Sequence, residues 1–162
     1  SLGNIPRFTQ LINKSNQFNL RTKRYSEAKV ESMVQNSERF TLLQVTFQDK
    51  YSNYGLISCI ILEKKSKSLF INTWVMSCRV LKRGIEYLVL DAIKDVAVNL
   101  ECDRIVGEYI ATEKNSLVKD LYHDLGLDRT KLSFMDDYIF DGNVYVQSVS
   151  SDQLKFTHYI KT

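Results

Sequence analysis

The residues Arg79-Val80-Leu81-Lys82-Arg83-Gly84 carry the chemistry most readily read from this chain. They join an apolar run, FINTWVMSC, to a strongly periodic one, and they combine several cationic side chains with a glycine. The first N–H groups of a helix lack intrahelical partners and carry partial positive charge, so a loop of this kind opening a helix is a seat for phosphate. Cys78, just before Arg79, admits two roles. A neighbouring cation and a helix N-terminus favour a nucleophilic thiolate. With no histidine near it in sequence, a small buried residue is the preferred role.

The elements that must hold this loop follow from periodicity. Ile85, Leu88, Val89, Ala92, Ile93, Val96, Ala97 and Leu100 recur at spacings of three and four, which predicts a helix over 84–99 with one buried face. Ahead of the loop, runs over 40–47, 55–63 and 68–77 are rich in Val, Ile, Leu, Phe and Thr and are separated by polar turns. They predict three strands in an antiparallel meander. Further upstream, Ile5, Phe8, Leu11 and Ile12 have helical spacing, 18–25 alternates loosely as a first strand would, and Ser26 reads as the N-cap of a helix ending near Asn36. Downstream come a strand over 104–110 and a helix over 115–125 whose stripe is Leu117, Val118, Leu121, Tyr122 and Leu125. Gly126 stops that helix. Closing strands are expected over 131–134 and 138–149, with Asp141-Gly142 as a turn signal.

Composition excludes several classes. A net charge of +3 is too small to point to nucleic acid as the partner. Cys59, Cys78 and Cys102 form no CxxC pair, and with only His123 and His158 beside them they make neither a disulfide framework nor a metal site. No apolar run approaches a membrane span and no signal peptide is present, so a cytoplasmic location is expected. The polar, basic start at Ser1 reads as a linker over 1–18 from something upstream, with the folded domain over 19–162.

The loop resembles the acyl-CoA-binding signature Arg/Gln-x-x-Gly-x-Gly/Ala of the GCN5-related N-acetyltransferase (GNAT) superfamily, with Arg79 first, Gly84 last and Lys82 where a glycine is usual. The element order agrees with that superfamily. The resemblance implies an α/β (α+β) GNAT-like fold, a mixed and mostly antiparallel sheet flanked by helices. It further implies that acetyl-CoA, another acyl-CoA or a carrier-bound phosphopantetheine lies in a cleft between the strands at Met76 to Cys78 and 105–110. Its phosphate end would meet Val80, Leu81, Lys82, Arg83, Gly84 and Ile85. Asn115 and Tyr122, followed by Gly126-Leu127, match the second signature, which implies Asn115 as a binding residue and Tyr122 as the acid for the departing thiolate. Glu108 is the candidate base on the cleft strand, with a structural carboxylate as its alternative. Trp74 is core or cleft wall.

Four stretches, KSNQFNLRTKRYSE, DKYSNYGLI, NTWVMSCRVLKRGIE and GEYIATEKNSLVKDLYHDLGL, are similar to the C-terminal half of FkbH-like proteins. In that family a haloacid-dehalogenase-like (HAD-like) domain loads glyceryl units onto acyl carrier proteins for polyketide extender units. The resemblance implies an acyl carrier protein and an upstream HAD-like domain as partners, with Lys64, Lys65, Lys67, Lys82 and Arg83 attracting the acidic carrier. It leaves open a catalytic acyltransferase and a non-catalytic docking module for the carrier.

Overall fold

Apolar alternation sets the sheet, and the glycine-led loop sets where the chain crosses over. The computed structural model describes residues 3–80 and 84–150. Helices α1 (Ile5–Lys14) and α2 (Glu27–Gln35) precede the strands β1 (Phe40–Gln48), β2 (Asn53–Lys65) and β3 (Ser68–Met76). Helix α3 (Ile85–Asn99) crosses to β4 (Arg104–Tyr109), and a short helix α4 (Leu121–Asp124) leads to β5 (Asp128–Thr130), β6 (Phe134–Met135), β7 (Tyr138–Ile139) and β8 (Asn143–Ser148). The main sheet has the order β1-β2-β3-β4-β8-β5, and β3 with β4 is the one parallel pair among the described strands. A parallel pair needs a long crossover, which α3 supplies.

β3 is buried along its whole length, as its near-continuous apolar run requires of a central strand. One face of the sheet offers Ile60, Leu62, Trp74 and Met76 to α3 and to Tyr122 of α4. The other face offers Cys59, Ile61 and Val75 to Phe8 and Ile12 of α1 and Val30 and Met33 of α2. Beside them, Phe70 and Val106 pack on Met135 of the β6–β7 hairpin. Among the described residues no helix is long and apolar enough to cross a membrane.

The three-strand meander, α1, α2 with its Ser26 cap and α3 stand where the sequence puts them. Four details differ. The expected strand over 18–25 shrinks to a single bridge, Asn19 with Val75, because the Asn19 side chain accepts the Thr22 N–H and turns the chain through a positive φ at Thr22. The α3 stripe is centred on Val89, Ile93 and Ala97; Leu88 and Leu90 flank it on opposite edges, and Leu90 is buried whereas Leu88, expected on the stripe, is exposed. The helix expected over 115–125 breaks into a 3-10 turn, Ser116–Val118, and the four-residue α4, because Asn115 is held by bonds outside any helix. The closing region forms β5, a two-residue hairpin and β8 rather than two longer strands. Gly126 does end α4, at φ +94°, with its N–H on His123 O and the Leu127 N–H on Tyr122 O.

Candidate active site at the splay of the parallel strands

The ladder between β3 and β4 ends at Ile71 and Gly107, although β3 runs on to Met76 and β4 to Tyr109. Beyond that point the backbone groups of the two strands need other partners. They find them in the segment just after α1. Phe18 O accepts the Met76 N–H at 3.3 Å on the β3 side, and Leu20 O accepts the Ile110 N–H at 2.9 Å on the β4 side.

Arg21 fills the apex. Its guanidinium donates through Nη1 to Asn72 O of β3 at 2.6 Å, through Nε to Glu108 Oε1 of β4 at 2.9 Å, and through Nη2 to Tyr138 Oη at 2.8 Å. It lies over the rings of Phe70 and Tyr138. Burial works against its charge, but the Tyr138 and Glu108 partners outweigh it and hold the pKa above the usual arginine value.

Glu108 is completely buried and takes four donors: Arg21, Tyr138 Oη at 2.7 Å, and the N–H groups of Asp141 at 2.6 Å and Gly142 at 2.9 Å. A carboxylate has about four acceptor positions, so none is left for a substrate proton. Burial first, then the hydrogen bond to Glu108, pushes the Tyr138 phenol up to about 12. Gly142 is required by the same turn, since a Cβ there would stand 2.1 Å from Tyr109 O.

Tyr122 approaches the apex from the α3 face. Its ring lies against the bare Cα of Gly107, where a Cβ would meet it at 2.6 Å, and is packed 6.2 Å from Trp74 and 5.8 Å from Tyr145. Burial raises its pKa well above the ordinary phenol value, so it carries its proton at any physiological pH. Among the described residues its hydroxyl and the Trp74 indole N–H have no hydrogen-bond partner, and both are buried. Native cores seldom leave such groups unpaired, and two in adjoining rings mark a place where a polar group fits.

Asn115 is completely buried and fully used. Its Oδ1 accepts the Thr112 N–H and the Tyr109 hydroxyl, and its Nδ2 donates to Ile110 O and Asn19 O. It ties the segment after α1 to the end of β4. Met76, Val80 and Ile85 are buried around the loop, whereas Cys78 is exposed, with its thiol 3.1 Å from Gln17 Oε1, and not the small buried residue preferred from sequence. Gly84 takes φ +77° just ahead of α3, with open space where a Cβ would stand. Leu81, Lys82 and Arg83 lie outside the described residues. Of the basic cluster, Lys65 is buried and paired with Glu63 and Asp137, each at 3.3 Å. His123 is exposed. Among the described residues no group of three or more His, Cys, Asp or Glu could hold a metal.

Two cavities open on either side of Phe18. One of about 670 Å³ is lined by residues of α1, by Met76 to Cys78 and by Glu113 and Lys114. The other, of about 360 Å³, is lined by Glu86 at the start of α3 and by 116–121 and Asp124. Phe18, Arg21 and Tyr138 were not singled out from sequence. Arg21 meets partners 51 to 117 residues away and Tyr138 meets Glu108 across 30 residues, and the only local signal is an arginine directly after the apolar pair Phe18 and Leu20.

A mixed sheet whose single parallel pair is crossed by α3 and then splays is the fold of the GNAT acyltransferases. The chain is similar to the ribosomal-protein-S18-alanine N-acetyltransferase of Escherichia coli at 15% identity and TM-score 0.64, over 96% of each chain. It is similar to the spermidine N-acetyltransferase of Vibrio cholerae, solved with CoA and spermine, at 15% identity and TM-score 0.62, over 96% of this chain and 95% of that one. Tetrahymena GCN5 matches at 10% identity and TM-score 0.58, over 92% and 90%. No protein-family model and no curated protein matches the sequence.

Proposed function

We propose that this domain binds the pantetheine arm of an acyl thioester, as acyl-CoA or on an acyl carrier protein, in the splay between β3 and β4. The observation that carries the reading is the buried, unpartnered Tyr122 hydroxyl at the point where the parallel ladder ends. Gly107 allows that close approach, and the Trp74 N–H supplies a second free donor beside it. Fold neighbours solved with CoA or acetyl-CoA support a ligand of that class. The thioester, when bound, supplies an electrophilic carbonyl and a thiolate leaving group. Tyr122, protonated because burial disfavours its anion, holds the proton that such a leaving group needs. Gly84 and Ile85 present the opening of α3 to the phosphate end. We further propose that the domain acts in the cytoplasm beside a HAD-like domain in glyceryl transfer for polyketide extender units, which rests on the FkbH-like stretches.

A second reading, a docking module that presents the carrier without catalysis, is favoured by one observation: all four acceptor positions of Glu108 are taken within the protein. Calorimetric titration with acetyl-CoA and with phosphopantetheinylated acyl carrier protein, on the wild type, Gly84→Asp and Tyr122→Phe, tests both. Acetyl-CoA binding retained in Tyr122→Phe with turnover down by about 10²-fold or more supports the acyltransferase. Binding of the carrier alone, with Tyr122→Phe indistinguishable from wild type, supports the docking module. No binding to either refutes both.

A further inference from the structure

The segment that binds the two splayed strands is the chain's own. Phe18 O holds the Met76 N–H, Leu20 O holds the Ile110 N–H, and Asn19 O is clasped by Asn115. These are backbone groups that an added strand or an extended arm would use. The Phe18 ring is 4% exposed, lies 5.9 Å from Trp74, and borders both cavities, so it is the partition between them. Behind it are the two orphaned donors, Trp74 Nε1 and Tyr122 Oη.

We propose that Phe18 to Leu20 is an intramolecular strap that occupies the thioester groove, and that Phe18 is its gate. The inference rests on the proposed function, since it assigns the state in which that groove is closed. Two features make the strap displaceable. Its ends are fixed, by α1 on one side and by the buried Arg21 pair on the other, so opening needs only a local outward swing of the residues between. Its Phe18 end is the loosely held one: the bond from Met76 N–H to Phe18 O is long at 3.3 Å, whereas Leu20 O accepts the Ile110 N–H at 2.9 Å and Asn19 O accepts the Asn115 amide at 3.0 Å, so the swing begins at Phe18. With Phe18 swung out, the cavity beside α3 and the cavity beside α1 meet next to Trp74. An arm entering from the first then reaches Tyr122, an acceptor can enter from the second, and the orphaned donors gain partners. The closed strap therefore keeps the groove dry until a ligand competes for it.

Trp74 is the chain's one tryptophan, so its fluorescence reports the departure of Phe18 directly. Acetyl-CoA is titrated against the wild type, Phe18→Ala, and Asn19→Cys/Val75→Cys in a Cys78→Ser background. Asn19 and Val75 are antiparallel bridge partners, close enough for a disulfide that staples the strap shut. The expected result is that Phe18→Ala binds at least about tenfold more tightly than wild type. The oxidised staple loses binding and the Trp74 signal, and reduction restores both. Equal affinity in wild type and Phe18→Ala, with the oxidised and reduced staple binding alike, overturns the gate and leaves thioester binding standing. No acetyl-CoA binding by any form, the reduced staple and Phe18→Ala included, overturns the thioester site and the gate together. If Phe18→Ala does not fold, the staple alone decides, because its two states share one sequence.

Discussion

Replacing Glu108 separates a structural carboxylate from a catalytic base. Its side chain is buried and accepts from Arg21, Tyr138 and two backbone N–H groups, while the Arg21 side chain is 5% exposed and has no water to turn to. Glu108→Ala leaves the buried Arg21 cation without its counter-ion, and the Tyr138 hydroxyl and two turn N–H groups without an acceptor. Removing one partner of a buried pair costs about 3–5 kcal/mol. A neutral hydrogen bond adds about 0.5–1.5 kcal/mol each, part of which relaxation and entering water recover. The expected loss is therefore about 4 kcal/mol, a large share of the roughly 5–15 kcal/mol that holds a domain of this kind together. Glu108→Gln keeps the shape but turns an NH₂ toward two donors, and should cost about 2–3 kcal/mol. In a urea-unfolding cycle, Arg21→Met with Glu108→Leu should be less destabilising than the sum of the single changes by at least about 1 kcal/mol. The reasoning is refuted if Glu108→Gln loses less than about 1 kcal/mol while any thioester turnover collapses, for that is the signature of a base and not of a brace.

Three further outcomes follow from the same geometry. Gly107→Ala places a methyl 2.6 Å from the Tyr122 ring, which is wedged between Trp74 and Tyr145, so unfolding in urea should show a loss of at least about 1–3 kcal/mol, and Gly107→Ala with Tyr122→Leu should recover most of it. Gly84→Ala meets no atom but must adopt φ +77°, so it should cost about 1–2 kcal/mol in thermal unfolding and Gly84→Asn appreciably less; equal costs would show that the conformation is not what constrains the site. Burial raises the pKa of Tyr122, and burial with the Glu108 bond takes Tyr138 to about 12, so the folded state keeps protons that the unfolded chain releases near pH 10. Their contribution is fully present below about pH 10 and is lost as pH rises from there toward 12, so urea midpoints should fall between about pH 10 and 12 and the fall should be shallower in Tyr122→Phe.

Local pattern decided much of this protein. The runs of alternating and continuous apolar residues determined the meander, the periodicity after Gly84 determined α3, and Ser26 and Gly126 marked a start and a stop, because caps and periods are properties of neighbouring residues. The loop ahead of α3 and the spacing of Asn115 and Tyr122 were legible for the same reason. What each of those residues does depended on partners far along the chain. Asn115 became a clasp on Asn19, 96 residues away; Glu108 became the centre of a four-donor brace that includes Arg21, 87 residues away; Cys78 came to the surface. The strap has little local signature beyond the Asn19 turn onto Thr22 and the arginine that follows Leu20. Phe18 to Leu20 take their conformation from unpaired backbone groups of β3 and β4, which exist only once those strands have paired as far as Ile71 and Gly107 and then parted. A hydrogen-bonding vacancy between two strands is a tertiary fact, and only the folded chain could decide which segment fills it.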